Sequence, residues 1–202
     1  MISLWITAFG GIALLMAAGV AALVFLEQQR VSERDRMQLD QQAQILGERI
    51  SDNLQVYRHM LLGLSSNPDL VRWFGGGDSG ERGAREQALA QLLPKVLRVR
   101  LLSPGHNTAD MVSEPPLSYA SLLLLRAAET AAEPPPLEML QGRTPKAHLV
   151  GVSAVRNTQG EVLGLVHLTI DPSPLRGWLD GTVAGGGRIE LRQEVEGTSV
   201  TL

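Results

Sequence analysis

The chain has 202 residues, with 18 Lys and Arg against 21 Asp and Glu and a formal net charge of −3; that balance excludes a dedicated nucleic-acid binder, which needs a basic surface against phosphates. There is no cysteine, so disulfides, zinc–thiolate sites and thiol nucleophiles are excluded. The length suits one domain with an anchor, or at most two small domains, and the Ala- and Leu-rich, aromatic-poor composition favours helix over sheet.

From Ile2 to Leu26 no side chain is charged. At about 1.5 Å per residue such a run crosses a hydrocarbon core of roughly 30 Å, so residues 1–26 are expected to form a transmembrane helix with the lipid bilayer as its partner. The run is longer than the apolar stretch of a cleaved leader and has no basic segment before it. Arg30, Arg34 and Arg36 follow the span and no Lys or Arg precedes it, which by the positive-inside rule places the downstream part in the cytoplasm.

Residues 27–66 contain no proline. Leu39, Ala43, Leu46, Ile50, Asn53, Tyr57, Met60 and Leu64 recur at alternating steps of four and three, which predicts a long juxtamembrane amphipathic helix. Its seam serves either a homodimer, with Asn53 fixing the register, or packing on the protein's own sheet; the periodicity is the same for both. Asn67-Pro68-Asp69 ends this helix and starts a short one carrying Leu70, Val71, Trp73 and Phe74. The run Gly75 to Gly80 reads as a linker, because it lacks the Gly-Lys-Ser/Thr of a phosphate loop. Glu81 to Leu93 reads as an amphipathic helix.

Val96 to Leu102 alternates into a strand that sets Arg98 and Arg100 on one face with Val96 and Leu102. Two such guanidiniums either clamp a carboxylate or phosphate, or guard an edge strand against unwanted pairing. Ser103 to Pro116, with His106 and Asp110, is a loop. Leu117 to Ala128 is a helix apolar nearly all round, expected to be largely covered. Glu133 to Pro136 is a stiff connector.

His148 to Asp171 forms the strongest local signal. Two runs rich in Val, Leu and Ile flank Asn157-Thr158-Gln159-Gly160, where Asn and Gly tolerate the positive φ of a tight reversal, so a β-hairpin is predicted. In its second arm Val162, Gly164, Val166, Leu168 and Ile170 share one face, wholly apolar and expected to be buried; Leu163, Leu165, His167 and Thr169 share the other. Gly164 either admits a close backbone neighbour or a ligand, or marks a bulge. His148 and His167 lie on opposite arms and are placed to face one another, as a pH-sensitive or metal-binding pair or as ordinary strand residues. Asp171-Pro172-Ser173-Pro174 reads as a capped helix entry, followed by a short helix from Leu175 to Asp180. Arg188 to Arg192 and Ser199 to Leu202 read as strands after a Gly185 to Gly187 loop.

Val155-Arg156, Gly160, Val162, Gly164 and Asp171 resemble the central hairpin of Cache and PAS-like sensor domains. That resemblance implies an α+β fold for residues 67–202, an antiparallel sheet with flanking helices, and a periplasmic domain at a bacterial inner membrane. It also implies a small-molecule ligand between the sheet and a covering loop, for which Arg98, Arg100, Tyr119, His148, Arg156 and His167 are the polar candidates. A second resemblance covers roughly Leu92 to Arg192. Leu92-Leu93-Pro94, Leu97 to Leu102, Pro104-Gly105, Pro115 to Ala120, Leu124 to Glu129, Pro134 to Pro136 and the hairpin are similar in order to the membrane-anchored extension of long-form bacterial phosphomannomutase/phosphoglucomutase. This implies a non-catalytic anchoring and ligand-sensing piece, truncated at its C-terminus, whose catalytic part lies beyond residue 202. The alternative is the extracytoplasmic sensor of a chemoreceptor, histidine kinase or cyclic-dinucleotide protein. No phosphoserine loop of the form T-A-S-H-N, no G-x-S-x-G, no HExxH and no paired carboxylates occur, so no catalysis, cofactor or metal is expected of these residues.

Overall fold

A computed structural model describes residues 36–76, 81–142, 144–179, 192–195 and 198–201. The apolar run from Ile2 to Leu26, the end of the glycine linker and the Gly185 to Gly187 loop lie outside the described residues. Among the described residues no helix is long and apolar enough to cross a membrane. The chain divides into two compact units, residues 1–47 with 182–188 and residues 48–181 with 189–202. In the first, residues 36–47 are helical.

The second unit is α+β. Residues 48–65 are helical (α1) and are followed by α2 (Pro68–Gly75), α3 (Arg82–Leu92), β1 (Val96–Leu102), α4 (Tyr119–Thr130), β2 (Glu138–Leu140), β3 (His148–Arg156), β4 (Val162–Ile170), α5 (Ser173–Leu179), β5 (Arg192–Val195) and β6 (Thr198–Thr201). An antiparallel sheet runs β1-β4-β3-β2, and β5 pairs with β6. Local chemistry sets the boundaries. Asn67 caps α2 by accepting from the Asp69 amide at 2.7 Å, with Pro68 at the first helical position. Ser118 caps α4 through the Ser121 amide, and Asp171 accepts from the Ser173 amide at 2.9 Å at the entry to α5. The β3–β4 turn closes with Gly160 at φ +85° and its amide on the Asn157 carbonyl.

The apolar face of β4 is buried as expected, and its other face is buried as well, because α2 packs on one side of the sheet and α4 on the other. Leu165, His167 and Thr169 are as fully buried as Val166, Leu168 and Ile170. One face carries Val99, Leu101, Leu149, Gly151, Val155, Gly164 and Leu168. Here α1 and α2 pack directly: a Cβ on Gly151 would lie 2.6 Å from Leu61, and one on Gly164 would lie 2.1 Å from the Phe74 ring. Gly164 therefore makes room for the Phe74 ring, and the register of β3 on β4 shifts beside it, between Val155 and Arg156, in line with the bulge reading. Along α1 the buried stripe is Ile50, Tyr57 and Leu61, with Asn53 and Leu64 half-buried, so this part of the predicted seam packs on its own sheet.

The other face carries Leu102, Val150, Val152 and Leu165, which form a core with Leu122, Leu124, Leu125 and Ala128 from α4 and with Leu117 just before it, which bridges to Asp110. Burial of each such Leu is worth about 1.5–3 kcal/mol. α4 is covered on this side only. Leu123 and Tyr119 stay exposed, where the leucine run had predicted a helix covered nearly all round. Both sheet edges are protected by a side chain from elsewhere: Glu86 of α3 accepts from the Leu101 amide at 2.7 Å, and Gln193 of β5 from the Met139 amide at 2.6 Å.

Candidate functional site

On the α4-covered face, cross-strand register gathers polar residues at one end. Arg100 lies opposite His167, which lies opposite Val152; Arg98 lies opposite Thr169, which lies opposite Val150. Direct cross-strand neighbours hold their Cβ atoms about 4.5–5.5 Å apart. His148, two residues before Val150, completes the group on the same face and pairs with Leu140 of β2. A register shift between Val96 and Arg98 turns Val96 to the opposite face, opposite Ile170, so Val96 does not share the arginines' face as the simple alternation implied.

The segment from Asp110 to Leu117 roofs this end of the sheet. It is closed by two backbone hydrogen bonds between Asp110 and Leu117. The Asp110 carboxylate accepts from the Val112 and Ser113 amides at 3.1 Å each, and these bonds with Ser113 hold its carboxyl below the usual range. Arg100 donates to Ser113 Oγ at 2.8 Å and to the Pro115 carbonyl. Arg98 reaches the Glu114 carbonyl at 3.5 Å, and Lys146 pairs with the Glu114 carboxylate at 2.7 Å. At the rim, Leu97, Glu114, Pro115, Pro116, Pro145, Lys146, Ala147 and His148 line a cleft of about 410 Å³.

Arg100 is only 5% exposed, which is incompatible with a charge worn on an edge strand to face solvent. Burial first, and then Arg98, pushes its guanidinium down to about 10, so it remains a cation at neutral pH. Among the described residues it has no ion-pair partner; its hydrogen-bond acceptors are a hydroxyl and a carbonyl. His167 is 0% exposed, and burial followed by the Arg100 charge pushes it down to about 3, so its ring is neutral. His148 donates Nδ1–H to the Lys146 carbonyl at 2.8 Å, an assignment that follows because a carbonyl can only accept.

Five of the eight buried side-chain polar atoms that lack a partner among the described residues belong to this group: Arg100 Nη1, His148 Nε2, both ring nitrogens of His167 and Thr169 Oγ1. A buried polar atom without a partner costs about 1–3 kcal/mol, and a whole domain has only about 5–15 kcal/mol in hand. Such a concentration on one stretch of sheet marks a place built for polar occupants.

Of the six sequence candidates, the fold brings Arg98, Arg100, His148 and His167 together and separates two. His148 and His167 share a face without lying opposite one another, since the partner of His167 is Val152. Among the described residues no cluster of three metal-ligating side chains exists. Tyr119 is 74% exposed on the outer side of α4. Arg156 is spent on structure: it donates to the carbonyls of Ala128, Glu129 and Ala131 at 3.4, 2.8 and 2.9 Å and to that of Gly160 at 3.0 Å, closing the C-terminus of α4, where a cation suits the helix dipole. Thr169 was missed, although its parity with His167 in the hairpin was the signal that would have found it. Ser113, Glu114 and Lys146 carried no local signal, because their roles depend on where a loop folds back.

No family model matches the chain, and no curated protein matches it significantly. Among solved structures it is similar to the "extracellular domain of the putative histidine kinase rpHK1S-Z16", at 22% identity over 67% of this chain, with a TM-score of 0.43. The match spans 57% of that protein's chain. The phosphohexomutase resemblance finds no support in these comparisons.

Proposed function

We propose that residues 48–181 with 189–202 form a non-catalytic, ligand-binding domain of the sensor kind, its site lying between the sheet and the Asp110 to Leu117 roof. The observation that carries this reading is the group of five buried, unpartnered polar atoms on Arg100, His148, His167 and Thr169. A domain whose only task was to hold an enzyme at a membrane would have filled these positions with apolar side chains at lower cost. The cleft at His148 falls within the usual volume of small-molecule sites, about 300–1,000 Å³. In this reading the apolar run from Ile2 to Leu26 tethers the domain to a membrane, which a carbonate wash tests: the chain stays in the pellet if the tether is real.

The binding reading is tested by thermal unfolding of the full chain in detergent against a panel of small organic acids, amino acids, sugars and nucleosides. A ligand at about 100 times its Kd adds about 2.7 kcal/mol. At about 2–4 °C per kcal/mol for a protein of this size, the midpoint rises by about 5–10 °C. A panel in which no compound of any class moves the midpoint overturns the proposal.

A further inference from the structure

The chemistry of the ligand follows from which atoms in the site want donors and which want acceptors, and it rests on the ligand-binding reading above. The site holds one deeply buried cation. Arg100 has neutral acceptors on Nη2 and none on Nη1, and a guanidinium out of water is stabilised far better by an anion than by a carbonyl. Arg98, on the neighbouring position, is half-buried and reaches only a carbonyl, at 3.5 Å. The site's demand is therefore for negative charge. Asp110 and Glu86 act on Arg100 through their fields without pairing with it.

The histidines add a second demand. In the neutral ring, commitment of His148 Nδ1–H to the Lys146 carbonyl leaves Nε2 as a lone pair, and that atom is buried. Only a donor satisfies it. Neutral His167 offers one N–H and one further lone pair, and Thr169 Oγ1 can act either way. A ligand of carboxylate alone would leave the lone pairs unmet; a ligand of hydroxyls alone would leave the cation unmet. An ammonium as the donor would want a carboxylate beside it. The carboxylate that lines the cleft beside His148, Glu114, is already paired with Lys146 at 2.7 Å.

We infer that the site takes a small hydroxy acid, with one carboxylate against the Arg100 guanidinium and a hydroxyl donating to His148 Nε2. The residues involved lie on three adjacent strands within four residues of register, and the cleft of about 410 Å³ beside His148 limits the ligand to a small molecule. His148 is common to the buried group and to the wall of the cleft, which places the way in beside Lys146 and Pro115.

Four three-carbon probes separate these demands by calorimetric titration of the full chain in detergent: lactate, propionate, lactamide and alanine. Lactate is expected to bind, propionate at least tenfold more weakly for want of the hydroxyl, and lactamide at least a hundredfold more weakly for want of the charge. Alanine falls below propionate. In His148→Phe the advantage of lactate over propionate disappears, and in Arg100→Met lactate binding is lost. Lactamide binding as tightly as lactate to the unaltered chain overturns the inference without any variant having to fold, and so does a lactate preference that survives in a folded His148→Phe protein. If a sugar or nucleoside of the thermal panel binds and none of the four probes does, the hydroxy-acid assignment falls and the binding domain stands. If nothing binds, both fall.

Discussion

His167 makes stability depend on pH in a window where few other groups titrate. Its ring is wholly buried between β1 and β3, and burial, the Arg100 charge, His148 and Arg98 all press it toward neutrality, leaving it at about 3. In the unfolded chain an ordinary histidine titrates near 6.5. The folded value is therefore depressed: stability is fully present above about 6.5 and is lost as pH falls toward 3, because the unfolded chain takes up a proton that the native one refuses. Between pH 7 and pH 5 the unfolded ring goes from mostly neutral to almost fully charged while the native ring stays neutral, which integrates to about 2 kcal/mol at about 1.36 kcal/mol per pH unit. That corresponds to a fall of about 4–8 °C in Tm. The assay is thermal unfolding by near-ultraviolet circular dichroism at pH 7, 6 and 5, for the native sequence and for His167→Gln, whose side chain is neutral throughout. The native chain loses those degrees and the variant does not. If the two lose stability in parallel over this range, His167 is not held neutral by its surroundings and the reasoning is wrong.

Gly164→Ala forces a methyl to within 2.1–2.5 Å of three Phe74 ring atoms and is expected to destabilise by about 1–3 kcal/mol in chemical denaturation, with much of the loss recovered in Gly164→Ala/Phe74→Leu. Gly151→Ala meets the ends of Leu61 and Leu137, which swing away more readily than a ring, so its cost should be the smaller of the two. Arg156→Met removes the donors that close α4 and is expected to cost about 1.5–3 kcal/mol by the same assay while leaving any lactate affinity within twofold, since this arginine lies outside the polar group. Glu86→Ala uncovers the Leu101 amide on the edge of the sheet; light scattering should show faster aggregation than for Glu86→Gln, which keeps an acceptor there.

How much of this was legible in the sequence depended on whether the signal was local. The reversal at Asn157 to Gly160, the helix start at Pro68 and the entry at Asp171 are settled within four or five residues, and all three form as read. The strand β2 was not anticipated, because Glu138 to Leu140 is too short to show an alternation and exists through its pairing with β3. Arg98, Arg100, His148 and His167 were found by residue type and parity, which set the two arginines together and the two histidines on facing arms; the register of β1 on β4 is what puts all four on one face. It could not reveal that Arg100 is buried, since that depends on a loop over ten residues downstream returning to cover it. Nor could it show that Arg156 is engaged by α4, more than twenty residues upstream.

The sequence by itself determined the β3–β4 hairpin, the starts of α2 and α5 and which side chains alternate together, because caps, turns and the two-residue repeat are short-range. Only the tertiary structure decided what each face is for. Helices α2 and α4 on opposite sides of the sheet bury both faces of β4, a single register shift beside Leu97 turns Val96 away from the arginines, and the Asp110 to Leu117 roof converts an apparent edge charge into a buried cation whose field and unmet donor define the site.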